Sequence, residues 1–190
     1  VFTLAFLIGI SLVIRGGWPI FWIGVTGILS GILYTAGPYA LGYIGLADLF
    51  VLMYFGPIAV AGSYYIYTLQ WNSDLAIMGI ACGCLSTAIL TVNNIRDYHG
   101  DKAAGKKSLV VRLGQNFGKG YYLTLVLIPV GIAVYFVLRD HLHYGLLTTS
   151  IIAVFGLFFT VQLHKKSGNE LTPILGKTAG LLLIYTLLFI

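Results

Sequence analysis

Long apolar runs alternate with short polar breaks along the whole chain. The runs are about as long as a bilayer-crossing helix, and none shows the period-two alternation of a half-buried strand. The pattern predicts seven helical segments, the first and last shorter than a full crossing, at residues 1–14, 18–34, 46–69, 74–92, 121–138, 144–163 and 178–190. We therefore expect an all-α integral membrane bundle that forms a single domain over residues 1–190.

The breaks between the runs predict where helices end or bend. They lie at residues 15–17, 36–45, 70–73, 93–120, 139–143 and 164–177. Pro57 falls inside the third run and should kink it, because proline removes a backbone donor at membrane depth. Asp74 stands where the fourth helix begins and is a candidate N-cap. The spacings Gly27-x-x-x-Gly31 and Gly79-x-x-x-Gly83 predict two places where a neighbouring helix comes close.

Composition excludes a soluble domain. Hydrophobic residues make up 58% of the chain, charged residues 9%, and the mean hydropathy is +0.93. The two cysteines, Cys82 and Cys84, lie inside an apolar run and are expected to be ordinary buried side chains. Membrane lipid is therefore an expected partner, and nucleic acid is not.

The basic residues predict the orientation in the membrane. The formal net charge is +5, and alternating loops place nine of the eleven Lys and Arg residues on one side, namely Arg96, Lys102, Lys106, Lys107, Arg112, Lys119, Lys165, Lys166 and Lys177. Only Arg15 and Arg139 lie on the other side. Because basic loops stay in the cytoplasm, residues 93–120 should face it. We expect a multi-pass protein of the cytoplasmic membrane.

Residues 93–112 carry the candidate chemistry. They hold two of the six acidic residues and five of the eleven basic ones. If the fourth helix continues through them, Asn93, Asp97 and Asp101 share one face at i, i+4 and i+8. Paired carboxylates without His or Cys favour a hard ion such as Mg²⁺, and the adjoining lysines could hold a diphosphate. Spacing alone equally allows a polar loop with positive-inside charges.

The longer string NNxRDxxxDxxxGKxSLxVRLG resembles the second Asp-rich motif of the UbiA-type membrane prenyltransferases. Within that family it is most similar to the 1,4-dihydroxy-2-naphthoate prenyltransferases of menaquinone biosynthesis (MenA type). The matching residues are Asn93, Asn94, Arg96, Asp97, Asp101, Gly105, Lys106, Ser108, Leu109, Val111, Arg112, Leu113 and Gly114. Residues 34–38, 45–57 and 171–178 resemble other parts of the same family.

The resemblance implies a bundle of nine helices with two Asp-rich motifs. The first motif, NDxxDxxxD, does not occur in these 190 residues. We therefore expect that the sequence is an N-terminally truncated fragment with about seven of the nine helices.

The resemblance also implies an activity and a set of site residues. A Mg²⁺ cofactor on Asp97 and Asp101 would bind a polyprenyl diphosphate, Lys106 would assist its ionisation, and dihydroxynaphthoate would accept the chain and lose CO₂. The residues implied to bind the substrates are Asn93, Asn94, Arg96, Lys102, Arg112 and Tyr34. Arg96 and Lys102 are the candidates for the carboxylate of the acceptor.

Other functions remain as alternatives. One is a different UbiA-type aromatic prenyltransferase, and another, from a different class, is a membrane transporter. A transporter would be expected to place ionisable residues at mid-membrane, whereas the charges here lie at helix ends. A CDP-alcohol phosphotransferase needs a D-G-x-x-A-R pattern that is missing. Asp48 matches an acidic position of the UbiA-type pattern, but near a helix start it could equally serve the helix dipole.

Overall fold

A computed structural model describes residues 2–35, 40–140 and 149–189. Over these residues the fold is all-α, as expected, and none of them forms a strand. The helices are α1 (Phe2–Thr35), α2 (Leu41–Ile44), α3 (Ala47–Tyr54), α4 (Pro57–Thr68), α5 (Ser73–Arg96), α6 (Tyr98–Ala103), α7 (Leu109–Leu113), α8 (Gln115–Asp140), α9 (Ile151–Lys165) and α10 (Thr172–Phe189).

Five helical stretches within the described residues are long and apolar enough to cross a membrane. They are Thr3–Tyr34, Ala47–Thr68, Ser73–Arg96, Gln115–Arg139 and Gly168–Leu188. The predicted first two segments are joined in α1. The predicted span 144–163 starts outside the described residues, and the helix seen there, α9, has 15 residues.

The predicted break at residues 15–17 is a sharp bend within α1. Gly17 has φ 67° and ψ −153°, a backbone conformation that a side chain would strain, and Pro19 follows it. Both halves of α1 line one apolar cavity of about 580 Å³ together with α4. The chain therefore bends at Gly17, and both halves of α1 face the same cavity.

The predicted kink at Pro57 is a complete break between α3 and α4. Pro57 is the first residue of α4, and Gly56 before it lies directly against α5. A Cβ added at Gly79 would stand 2.9 Å from the Gly56 carbonyl oxygen, and one at Gly83 would overlap the Leu52 carbonyl. As predicted, the Gly79-x-x-x-Gly83 spacing lets the backbone of α5 contact the backbone between α3 and α4.

Helix α5 is the central element of the bundle. Its residues Cys84, Leu85, Ala88 and Val92 are fully buried against side chains from α8, α9 and α10. The predicted N-cap was wrong, because the side chain of Asn72 accepts the amide hydrogens of Asp74 and Leu75 at 2.9 and 3.1 Å. An aspartate two residues later lies inside the first turn, where it cannot cap the same amides.

Two helices begin earlier than the apolar pattern predicts. Helix α8 includes the polar residues 115–120, and Gln115 donates to the Ile95 carbonyl at 3.4 Å. Helix α10 begins at Thr172 behind a 3-10 turn, Gly168–Leu171, whose capping box joins Ser167 and Glu170. Helix ends lie nearer to water than the membrane-spanning parts, so their first turns can consist of polar residues. Hydropathy therefore does not show where these helices begin.

The bundle has two distinguishable ends. The end of α5 lies with the starts of α3 and α8, because residues 106–112 bond the turn before α3 and Gln115 bonds Ile95. The start of α5 lies with the end of α8 through a pair between Asp74 and Arg139. We call these the motif end and the opposite end.

Candidate functional site

The two aspartates of the motif lie one helical turn apart. Helix α5 ends at Arg96, and Asp97 separates it from α6 with φ −92° and ψ 6°. Hydrogen bonds nevertheless continue in the helical pattern, from the Asp97 amide to Asn93 at 3.0 Å and from the Asp101 amide to Asp97 at 2.8 Å. The expected continuous helix is therefore interrupted, while the expected spacing of Asn93, Asp97 and Asp101 is kept.

Asp97 is held by the arginine next to it in the sequence. Arg96 donates from Nε to Oδ1 and from an Nη to Oδ2, both at 2.8 Å, and the same Nη donates to Asn93 Oδ1 at 2.8 Å. This fork lowers the pKa of Asp97 below its ordinary value, chiefly through the hydrogen bond from Arg96. Asp97 is thus ionised and oriented at neutral pH.

Asp101 is held by Lys106. The ammonium Nζ lies 2.7 Å from Oδ2, and the exposed fractions of the two side chains are 21% and 17%. Gly105, with φ 72°, makes the turn that brings Lys106 back, and the Lys106 amide donates to the Asp101 carbonyl at 2.9 Å. The sequence neighbours of the motif thus neutralise its two carboxylates.

The segment after Lys106 is fastened to the turn between α2 and α3. The Lys107 amide donates to the Tyr43 carbonyl at 2.8 Å, and Arg112 donates to the Ile44 carbonyl at 2.7 Å. Gly45, with φ 82°, lies so close that an added Cβ would stand 2.5 Å from the Lys107 carbonyl oxygen. The turn before α3 therefore sets the position of the lysines.

The structure brings five of the predicted site residues together: Asn93, Arg96, Asp97, Asp101 and Lys106. The others are less closely connected to them. The Lys102 ammonium lies 5.7 Å from the centre of the Tyr98 ring, and Arg112 bonds the α2 end. Asn94 is 1% exposed, and its Oδ1 has no hydrogen-bond partner among the described residues.

Tyr34 lies in a part of the bundle surface that does not include the motif carboxylates. It lines a cavity of about 650 Å³ between α1 and α3, together with Leu41, Phe50, Tyr54 and others. Neither this cavity nor the one behind Gly17 is lined by the motif carboxylates or by Lys106. Both are predominantly apolar and could hold hydrocarbon.

Asp48 is more deeply buried than its position at a helix start predicts. It lies in the first turn of α3, where a carboxylate does suit the helix dipole, but it is 3% exposed. Neither of its oxygens has a hydrogen-bond partner in the part of the chain that is described. An acidic residue at the border of an apolar run was the signal that could have singled it out, since ionisable groups inside a membrane protein are costly.

The donor set at the motif suits a Mg²⁺ ion that is completed by a ligand. No group of three or more His, Cys, Asp or Glu residues occurs among the described residues, so the motif is not a closed metal site. Mg²⁺ commonly takes one or two carboxylates, with the remaining positions filled by phosphate oxygens and water. Asp97 and Asp101, with lysines nearby, fit that arrangement.

Comparison with known proteins places these residues in a family context. The family model described as "UbiA prenyltransferase family" matches residues 1–175. The chain is 32% identical over 171 residues (88% of this chain, 54% of the relative) to a 1,4-dihydroxy-2-naphthoate octaprenyltransferase of Haemophilus influenzae. A protein of the same name from Mycobacterium leprae is 28% identical over 97% of this chain and 62% of the relative. The chain thus spans about half the length of these curated relatives.

Proposed function

Because the chain belongs to the UbiA prenyltransferase family, we propose that it transfers a polyprenyl chain from a prenyl diphosphate to 1,4-dihydroxy-2-naphthoate. The observation that carries the proposal is the placement of Asp97 and Asp101 one turn apart, with Lys106 on Asp101, at the basic end of an apolar bundle. The names of the relatives support the choice of donor and acceptor classes. The motif end would face the cytoplasm, as the distribution of basic residues favours.

Each residue of the cluster has a separate proposed role. Asp97 and Asp101 would hold Mg²⁺, which when bound supplies positive charge to the departing diphosphate. Lys106 would donate to a diphosphate oxygen, so the allylic C–O bond breaks heterolytically with less charge build-up. Arg96 orients Asp97 through its two-pronged hydrogen bond, and Asn93 in turn fixes Arg96.

The apolar walls would protect the allylic cation. The cavity of about 650 Å³ between α1 and α3 presents Tyr34, Phe50 and Tyr54. Hydrocarbon walls exclude water, and aromatic faces stabilise positive charge. We place the prenyl chain in this cavity, with Tyr34 on its wall.

Lys102 is the better candidate for the carboxylate of the acceptor. The Arg96 guanidinium already bonds Asp97 and Asn93, whereas the Lys102 ammonium lies over the ring of Tyr98, 5.7 Å from its centre. Loss of CO₂ from the acceptor then accompanies formation of the new carbon–carbon bond. This makes Lys102 a determinant of which acceptor is used.

The test is transfer by the complete gene product that contains these residues, in detergent or proteoliposomes. Labelled farnesyl diphosphate, dihydroxynaphthoate and Mg²⁺ should yield a prenylated product and CO₂, and EDTA should stop both. Hydroxybenzoate as the acceptor is the matched control. Transfer to hydroxybenzoate in place of dihydroxynaphthoate would instead support another aromatic prenyltransferase of the family.

A further inference from the structure

The two apolar cavities of the bundle meet at Tyr54. The first cavity, of about 650 Å³, lies between α1 and α3, and the second cavity, of about 580 Å³, lies behind Gly17 between α1 and α4. Gly27 and Tyr54 line both of them, and their other walls differ. The two cavities are therefore successive parts of one groove, and this pair of residues stands at their junction.

The first cavity begins beside the segment that carries the motif lysines. Tyr34 lines it, and the Tyr34 carbonyl oxygen would be 3.2 Å from a Cβ added at Gly42 in α2. The next residue, Tyr43, accepts the Lys107 amide at 2.8 Å. A chain that leaves the motif end therefore meets the first cavity before the second.

The second cavity extends towards the opposite end. Its wall includes Ile66, in the last turn of α4, whose carbonyl accepts from Arg15 Nε at 2.6 Å. On the second half of α1, Tyr34 of the first cavity and Ile20 of the second are about 21 Å apart along the helix axis. The whole groove is thus long enough to follow an extended hydrocarbon chain through much of the bilayer.

The ring of Tyr54 crosses the groove where the cavities meet. A Cβ added at Gly27 would stand only 3.3 Å from Cε1 of this ring, so the ring reaches from α3 to the backbone of α1. It is stacked on Phe50, with ring centres 6.3 Å apart and planes inclined by 6°. Its hydroxyl makes no hydrogen bond with the described residues, so packing is what holds the ring across the groove.

We propose that Tyr54 determines how long a prenyl chain the protein accepts. This inference rests on the proposed function. The first cavity holds the isoprene units next to the diphosphate, and the remaining units of a longer donor pass Tyr54 into the second cavity. A long chain must displace the ring, whereas a short chain ends before it. Burial of the distal hydrocarbon in the second cavity offsets the cost of moving the ring.

The test compares a short and a long donor in the complete protein, in detergent, with the same aromatic acceptor. The quantity measured is the ratio of kcat/KM for octaprenyl diphosphate to kcat/KM for farnesyl diphosphate. Tyr54→Ala removes the ring from the junction and should raise this ratio by about tenfold, a discrimination that apolar pockets commonly reach. Tyr54→Phe keeps the ring and should leave the ratio within about twofold of the wild type.

A second variant fills the second cavity without touching Tyr54. Gly24 lines only that cavity, and an added Cβ there meets nothing within 4 Å. Gly24→Leu should therefore lower the ratio by about tenfold. Gly131→Leu, on the exposed side of α8, has the same free space and lines neither cavity, so it is the matched control and should leave the ratio unchanged.

Two results would overturn the inference. If a membrane lipid or another helix occupies the second cavity, Gly24→Leu will affect both donors alike and leave the ratio at the wild-type value. An unchanged ratio in Tyr54→Ala, or no octaprenyl transfer by either the wild type or this variant, would mean that long chains do not pass Tyr54.

Failure of the proposed function is distinguishable from failure of this inference. A wild type that transfers neither donor refutes the proposed function, whereas transfer with an unaltered length preference in both variants refutes only the role of Tyr54. Melting curves check folding. Tyr54→Ala leaves a cavity and should melt lower than the wild type, and Gly24→Leu, which adds volume, gives an independent answer if Tyr54→Ala does not fold.

Discussion

The two ends of helix α5 carry similar charges in different arrangements. At the opposite end, Asp74 pairs through both oxygens with Arg139, 65 residues away, at 3.0 and 2.7 Å. Arg139 also lies over the rings of Tyr135 and Phe136, at 5.3 and 4.8 Å. This pair links the start of α5 to the end of α8.

At the motif end the ion pairs are local. Arg96 bonds the next residue, Asp97, and Lys106 bonds Asp101, five residues before it. Such pairs can open without separating any two long helices, and Lys102 and Lys107 lie beside them in the sequence. Charge that joins distant helices serves the fold, whereas charge that is paired within one short segment is available to a ligand.

The largest effect should come from removing the motif carboxylates. Asp97→Asn and Asp101→Asn should each lower transfer by the complete protein by roughly a hundredfold or more, since each removes a proposed metal ligand. The protein should remain folded, because the ion pairs that are lost are local. Initial rates at saturating Mg²⁺, with melting curves alongside, provide the measurement, and near-normal turnover in either variant would refute the metal role.

The next largest loss of transfer activity should come from a change in the turn that positions Lys106. Gly45→Ala places a Cβ against the Lys107 carbonyl at a position with φ 82°, so the segment that carries Lys106 must shift. We expect about a tenfold loss of kcat, because small displacements of catalytic groups are costly. Gly176→Ala, where an added Cβ meets nothing within 4 Å, is the control. Equal rates for the two variants would show that Lys106 does not depend on the turn.

A smaller effect is expected at the opposite end, on stability rather than on activity. Asn72→Ala removes the side chain that caps α5 and should reduce the free energy of unfolding by about 1 kcal/mol. Transfer rates below the melting temperature should not change. Asn72→Asp, which can still cap, should behave like the wild type in thermal melts. A loss of activity in Asn72→Ala at low temperature would mean that the opposite end also contributes to the reaction.

The smallest change, in both stability and transfer activity, is expected from Arg139→Gln. The pair with Asp74 is solvent-exposed, so its contribution is weakened by water and salt. We expect a slight lowering of the melting temperature, less than for Asn72→Ala, and transfer within about twofold of the wild type. A large fall in transfer, with the melting temperature unchanged, would mean that the opposite end contributes to the reaction.

The amino-acid sequence by itself determined the all-α membrane architecture and the positions of two interruptions. One lies at residues 15–17, where a break was expected and a bend is found, and the other at Pro57, where a kink was expected and a break is found. It also determined the family through the motif that begins at Asn93. These features are local: apolar length, proline, glycine and motif spacing act within a few residues. The roles of the motif residues and the single-domain organisation stay predictions, because the structure and the comparisons do not test them.

Tertiary structure alone decided the features that depend on residues distant in the chain. The pairing of Asp74 with Arg139, and the attachment of Arg112 to Ile44 across 68 residues, cannot be read from either segment separately. The same holds for Asp48, which is 3% exposed although its own segment gives no reason for the burial. Hydropathy records what each residue prefers, whereas the cost of a buried charge depends on which partners the fold brings within reach, and only the packed bundle specifies them.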